Sequence, residues 1–86
     1  MVEIKNIIYT DKFERDIRKV KDNSERQRLE KQIRKIVENP ESGKPLRYGL
    51  RGEWTARVSP FRLIYAVQND KLILLRFERR KEVYDD

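Results

Sequence analysis

At 86 residues, 42% charged and 37% hydrophobic, the chain has apolar material for one small core and is expected to form a single domain over residues 1–86. The absence of cysteine and histidine excludes a disulfide, a thiolate or imidazole zinc site, and any mechanism built on a histidine base. A formal net charge of +6 points to a polyanionic partner, and no apolar run reaches the roughly 18 residues of a membrane helix.

In chain order, "VEIKNIIY" (2–9) is rich in β-formers and predicts a first strand. Thr10 or Asp11 can then cap a helix whose apolar stripe is Phe13, Ile17 and Val20. The stretch "DNS" (22–24) interrupts the stripe. Ser24 is the expected cap of a second helix with Leu29, Ile33, Ile36 and Val37 as its buried positions. "NPESGKP" (39–45) ends that helix, and the short link between the two predicts a helical hairpin. The rest reads as three strands, 53–59, 62–68 and 71–77, with "ND" (69–70) as a two-residue hairpin loop. The order β-α-α-β-β-β predicts an α+β fold, with the helical hairpin on one face of a small, mainly antiparallel sheet.

Side chains alternate along strands, so loop lengths decide which residues share a face. A two-residue "ND" loop pairs Gln68 with Lys71, Tyr65 with Leu74 and Arg62 with Phe77. A four-residue turn at "SPFR" pairs Val58 with Leu63 and Ala56 with Tyr65. Trp54, Ala56, Val58, Leu63, Tyr65, Val67, Leu72 and Leu74 then form the core face. Thr55, Arg57, Ser59, Ile64, Ala66, Ile73, Leu75 and Phe77 lie opposite, with Arg62 and Arg79 on the same side. Three guanidinium groups, of Arg57, Arg62 and Arg79, are thus expected to converge on a face no helix covers. A solvated face is the plain alternative. The mixture of Arg with Ile, Leu and Phe suits RNA better, since Arg meets phosphate bidentately and stacks on bases.

Further cations flank this face. Lys44, Arg47 and Arg51 surround Leu46 and Tyr48 in "SGKPLRYGLRG", while Arg76, Arg80 and Lys81 lead to Tyr84 in "RFERRKEVYDD". All six are candidate RNA- or ribosome-binding residues. Tyr84 can stack on a base or exchange a proton. "GKPL" is no P-loop, because the GxxxxGK[ST] pattern is missing.

The helix pair ending in "NP", the loop "GKPLRYGLRGEWTARV", the strand "FRLIY" and the ending "RRKEVY" together resemble a RelE-type toxin of the RelE/ParE toxin–antitoxin superfamily. The resemblance spans nearly the whole chain. It implies a ribosome-dependent endoribonuclease that enters the A site, cuts the mRNA there and so inhibits translation; the cytoplasm is the compartment expected from the lack of a long apolar run or a signal-peptide profile. It further implies a small acidic, RelB-like antitoxin wrapped around the toxin, with a toxin–antitoxin heterotetramer among the assemblies, and neither cofactor nor metal nor membrane. The family's arginine before the Leu-aliphatic-Tyr run falls on Arg62, its basic residue in the preceding strand on Arg57, and its C-terminal tyrosine on Tyr84. Its arginine after the last strand meets Glu78, so that role passes to Arg79 or Arg80, and a lysine of the bacterial pattern is Thr55 here.

The expected catalytic set is therefore Arg57, Arg62 and Arg79 on the scissile phosphate and Tyr84 stacking on it or protonating near it. No general base is assigned, because an arginine with a pKa above about 12 is a poor proton acceptor. The alternatives are a ParE-like toxin that poisons gyrase without nuclease activity, and a basic RNA-binding module.

Overall fold

Each helix starts at a side chain that accepts backbone N–H groups its first turn leaves free. The computed structural model describes residues 3–45 and 52–79. Within them lie strand β1 (Asn6–Tyr9), helices α1 (Asp11–Arg18) and α2 (Asn23–Glu38), and strands β2 (Lys44–Pro45), β3 (Glu53–Val58), β4 (Phe61–Gln68) and β5 (Lys71–Arg79). Thr10 caps α1 by accepting from the Phe13 N–H (3.2 Å), and its hydroxyl donates to the Leu74 carbonyl of β5 (2.7 Å). One side chain thus starts the helix and ties it to the sheet.

The cap of α2 is Asp22 and not Ser24. Its carboxylate accepts from the Ser24 and Glu25 N–H groups (2.8 and 3.2 Å) and from the Ser24 hydroxyl (2.6 Å). A charged acceptor is favoured over a hydroxyl beside the positive end of a helix. The bond from the Ser24 hydroxyl, then those from the two backbone amides, hold the Asp22 carboxyl below its ordinary range. Arg26, one turn later, donates to Val20 O (2.7 Å) and to Ile17 O (3.0 Å), the second of which also accepts the Val20 N–H (3.0 Å), and so ties the start of α2 to the end of α1. Asn39 closes α2 in an extended conformation, as suits a residue before proline.

The strands form one sheet in the order β1-β5-β4-β3-β2, with β1 parallel to β5 and the other pairs antiparallel. The architecture is the expected α+β one, both helices packing on one face of a mixed sheet, with the short β2 as an extra edge. Phe13, Val20, Leu29 and Ile36 from the helices meet Ala56, Val58, Leu63, Tyr65, Leu72, Leu74 and Phe77. Trp54 and Val67, expected in this core, are half-buried at its margin.

Two register details differ from expectation. The β3–β4 connection is the two-residue Ser59–Pro60 turn, so Ala56 pairs with Leu63 and Val58 with Phe61. A slip of two residues leaves every side chain on its expected face. The other difference changes faces. β4 and β5 pair as expected from Gln68↔Lys71 to Tyr65↔Leu74, and the loop carries Asn69 at φ 57°. A bulge then sets Ile64 opposite Arg76, Leu63 opposite Phe77 and Arg62 opposite Glu78. The extra residue reverses the alternation of β5 beyond it. Phe77 consequently enters the core beside Phe61, with ring centroids 4.7 Å apart, and Arg79 lies on the helix side over the Phe61 ring (5.5 Å).

Asp16 of α1 stabilises this bulge. β1 pairs with β5 only as far as Tyr9↔Leu74, and farther along the Asp16 carboxylate accepts the Phe77 N–H (3.0 Å). Asp16 is buried, and Lys12 pairs with its other oxygen. A charged acceptor in that place makes the bulged register the favoured one.

Tyr65, fully buried, donates its hydroxyl to Pro40 O (3.0 Å) and accepts from Gly43 N (3.2 Å). A Cβ on Gly43 would lie 2.5 Å from that hydroxyl and 2.6 Å from Thr55 O, so only glycine fits this crossing. Burial pushes the Tyr65 hydroxyl above its ordinary value of 10.0. The raised value means native protein keeps the proton longer than unfolded chain does. The associated stability is complete below about pH 10 and falls as pH rises through the native value. Tyr65→Phe is expected to cost about 1–3 kcal/mol at neutral pH, because Gly43 N loses its acceptor, and to flatten the alkaline decline. Urea midpoints from pH 7 to 11 check this; equal alkaline slopes in both proteins would contradict it.

Candidate nucleic-acid interface

On the sheet face away from the helices, strand pairing arranges the side chains in three cross-strand rows. The first runs Arg57–Arg62–Glu78 across β3, β4 and β5. The second runs Lys44–Thr55–Ile64–Arg76 across β2 to β5, and the third Glu53–Ala66–Ile73–Ile8 from β3 to β1. Ile64, in the middle of the second row, is fully buried, whereas Ile8 at the end of the third is exposed.

The charges are unevenly matched. Arg62 donates through Nε (3.2 Å) and a terminal nitrogen (3.1 Å) to one oxygen of Glu78. Both side chains are 37% exposed, and a pair of that kind contributes only about 0–1 kcal/mol. It is cheap to open. Arg76 pairs with the buried Glu53 (3.1 Å). Arg57 is exposed and makes no ion pair among the described residues. Its backbone is held by α2, whose Gln32 side-chain amide donates to Arg57 O (3.0 Å).

Arg57 and Arg62 stand directly opposite one another. Like charges at such a cross-strand pair repel, and only the Arg62–Glu78 pair offsets that cost among the described residues. A phosphate between the two guanidinium groups would turn that repulsion into binding.

The structure thus brings Arg57 and Arg62 together and sets Arg76 and Lys44 one row away. Arg79, expected beside them, is on the other side of the sheet, because the bulge lies between it and Leu74. Tyr84, Arg47, Arg51, Arg80 and Lys81 lie outside the described residues. Glu78 is the residue that alternation missed: without the bulge its place opposite Arg62 falls to Phe77. The available signal was Asp16, a carboxylate within the Phe13–Ile17–Val20 stripe that had to find a partner.

Among the described residues no group of three or more potential ligands could hold a metal ion, and no helix is long and apolar enough to cross a membrane. An open hollow along the outer side of α2, lined by Ser24, Gln27, Arg28, Glu30, Lys31 and Arg34, belongs to one helix and encloses no ligand site.

Residues 7–84 match the family described as "ParE toxin of type II toxin-antitoxin system, parDE". The chain belongs to this toxin family. None of the curated proteins matches it. Among solved structures, it is similar to the YoeB/ParE toxin from Agrobacterium tumefaciens, with 19% identity and a TM-score of 0.77 over 90% of this chain and 100% of that one. The isolated RelE toxin of E. coli is 22% identical, with a TM-score of 0.71 over 91% and 88% of the two chains. The RelBE2 toxin–antitoxin complex from Mycobacterium tuberculosis gives 25% identity and a TM-score of 0.62 over 93% and 94%. The toxin's fold is therefore that of the RelE/ParE superfamily, and the row Arg57–Arg62–Glu78 lies on the helix-free side of its sheet.

Proposed function

We propose that this toxin is a ribosome-dependent mRNA endoribonuclease that inhibits translation in the cytoplasm. The observation that carries the reading is the Arg57–Arg62 juxtaposition on the far face, in which Arg57 makes no ion pair among the described residues and Arg62 only a partly exposed one. Their donors fit the non-bridging oxygens of a scissile phosphate, where negative charge builds up as the 2′-oxygen attacks. Lys44 and Arg76, one row away, extend the positive surface along an RNA strand, and Tyr84, Arg47, Arg51, Arg80 and Lys81 keep their proposed roles in stacking and docking. The ribosome contributes by holding the mRNA in an attack geometry, so free RNA is cut slowly. A short acidic antitoxin, the partner a type II toxin implies, would neutralise the same charges on binding.

Primer extension on mRNA translated in a cell-free extract tests the reading. New 5′ ends inside codons, lost when initiation is blocked, are expected. Cleaved gyrase–DNA complexes without RNA cuts would indicate a gyrase poison instead, and neither result would leave an RNA-binding module.

A further inference from the structure

The proposed cleavage needs a proton acceptor for the ribose 2′-hydroxyl, and most of the chain's functional groups cannot serve. There is no histidine and no cysteine. Arginine stays protonated in proteins. Two carboxylates lie on the far face among the described residues. Glu53 is buried and bonded to Arg76, in the third row, away from the Arg57–Arg62 pair. Glu78 differs on both counts. It is in the first row, next to Arg62, and it is partly exposed.

We infer that Glu78 is the general base of this toxin, an assignment that rests on the endoribonuclease reading above. Arg62 reaches Oε1 of Glu78 with two of its N–H groups, which leaves Oε2 without a described partner and orients the carboxylate within the row. A phosphate held by Arg57 and the remaining donors of Arg62 has its own ribose within reach of that oxygen. Oε2 takes the proton from the 2′-hydroxyl while O2′ bonds to phosphorus. The P–O5′ bond breaks, its electron pair leaves with O5′, and O5′ takes up a proton from solvent or an acid of the site. The products are a 2′,3′-cyclic phosphate and a 5′-hydroxyl. Nothing is oxidised or reduced, and the number of protons is conserved.

The bulge is what makes this arrangement available. Without the extra residue, Phe77 would face Arg62 and Glu78 would point to the helices. Asp16, by accepting the Phe77 N–H, is therefore a positioning residue for Glu78 at one remove.

The test is single-turnover cleavage on ribosomes programmed with two mRNAs. One is ordinary; the other carries sulfur in place of O5′ at the cut, a leaving group that needs no proton. Glu78→Gln should cut both about 10²-fold more slowly than the wild type, with ribosome affinity unchanged or tighter because a negative charge is gone, and Glu78→Asp should recover part of the rate. Thermal midpoints confirm that these partly exposed substitutions leave the fold in place. Wild-type rates from Glu78→Gln would reduce Glu78 to a counter-ion of Arg62. A defect that vanishes on the sulfur substrate would move it to the leaving group and overturn its role as base. Absence of cleavage by the wild type itself would remove the endoribonuclease reading and this assignment with it, a result separable from the other two.

Discussion

Arg62→Ala should slow single-turnover mRNA cleavage by about 10²–10³ while changing ribosome binding far less. Arg62 stands between Arg57 and Glu78 in the far-face row and reaches Glu78 through both Nε and a terminal nitrogen. If it donates to the scissile phosphate, its contribution grows as charge develops on the equatorial oxygens, so removal acts on the chemical step. A contact that merely docks RNA stabilises ground and transition states alike and shows up as affinity. The fold should survive, because the substitution leaves Glu78 37% exposed in contact with water and empties no core position. A variant that binds poorly yet cleaves at the normal rate once saturated would make Arg62 a docking residue only.

Leu74→Ala is expected to have the largest effect on stability, about 2–5 kcal/mol. Leu74 is fully buried in β5, paired with Tyr9 of β1 on one side and Tyr65 of β4 on the other. Its carbonyl takes the Thr10 hydroxyl, so the backbone there is held and cannot close up around the lost atoms. The cavity would open among Phe13, Leu63 and the other apolar groups that join helices to sheet. A denaturant midpoint no lower than that of the wild type would contradict this picture of the core.

Much of this was legible from periodicity. The helix stripes of Phe13, Ile17 and Val20 and of Leu29, Ile33 and Ile36 all face the sheet or its margin. The alternation in β3 and β4 puts Arg57 and Arg62 on the far face even though the expected four-residue turn between them is two residues too long, because an error of two residues preserves alternation. The same logic failed in β5. A bulge is an error of one, and it moved Phe77 and Arg79 to the helix side and Glu78 to the site. What fixes it is a contact between residues 61 positions apart, Asp16 and Phe77, which no local pattern contains. The cap of α2 was displaced for a simpler reason: Asp22 and Ser24 both qualify, and the carboxylate is the stronger acceptor.

The most direct test of the far face as the working surface is 5′-end mapping of an mRNA translated in the presence of wild type, Arg57→Glu/Arg62→Glu and Arg15→Glu/Arg18→Glu. The two double variants carry the same change in net charge, but Arg15 and Arg18 lie on α1, on the other side of the sheet. Wild type and the α1 variant should both produce cuts within codons, and the far-face variant none, with its thermal transition retained. Cuts by the Arg57→Glu/Arg62→Glu protein at the wild-type level would contradict the account, since they would put the chemistry somewhere other than the Arg57–Arg62–Glu78 row.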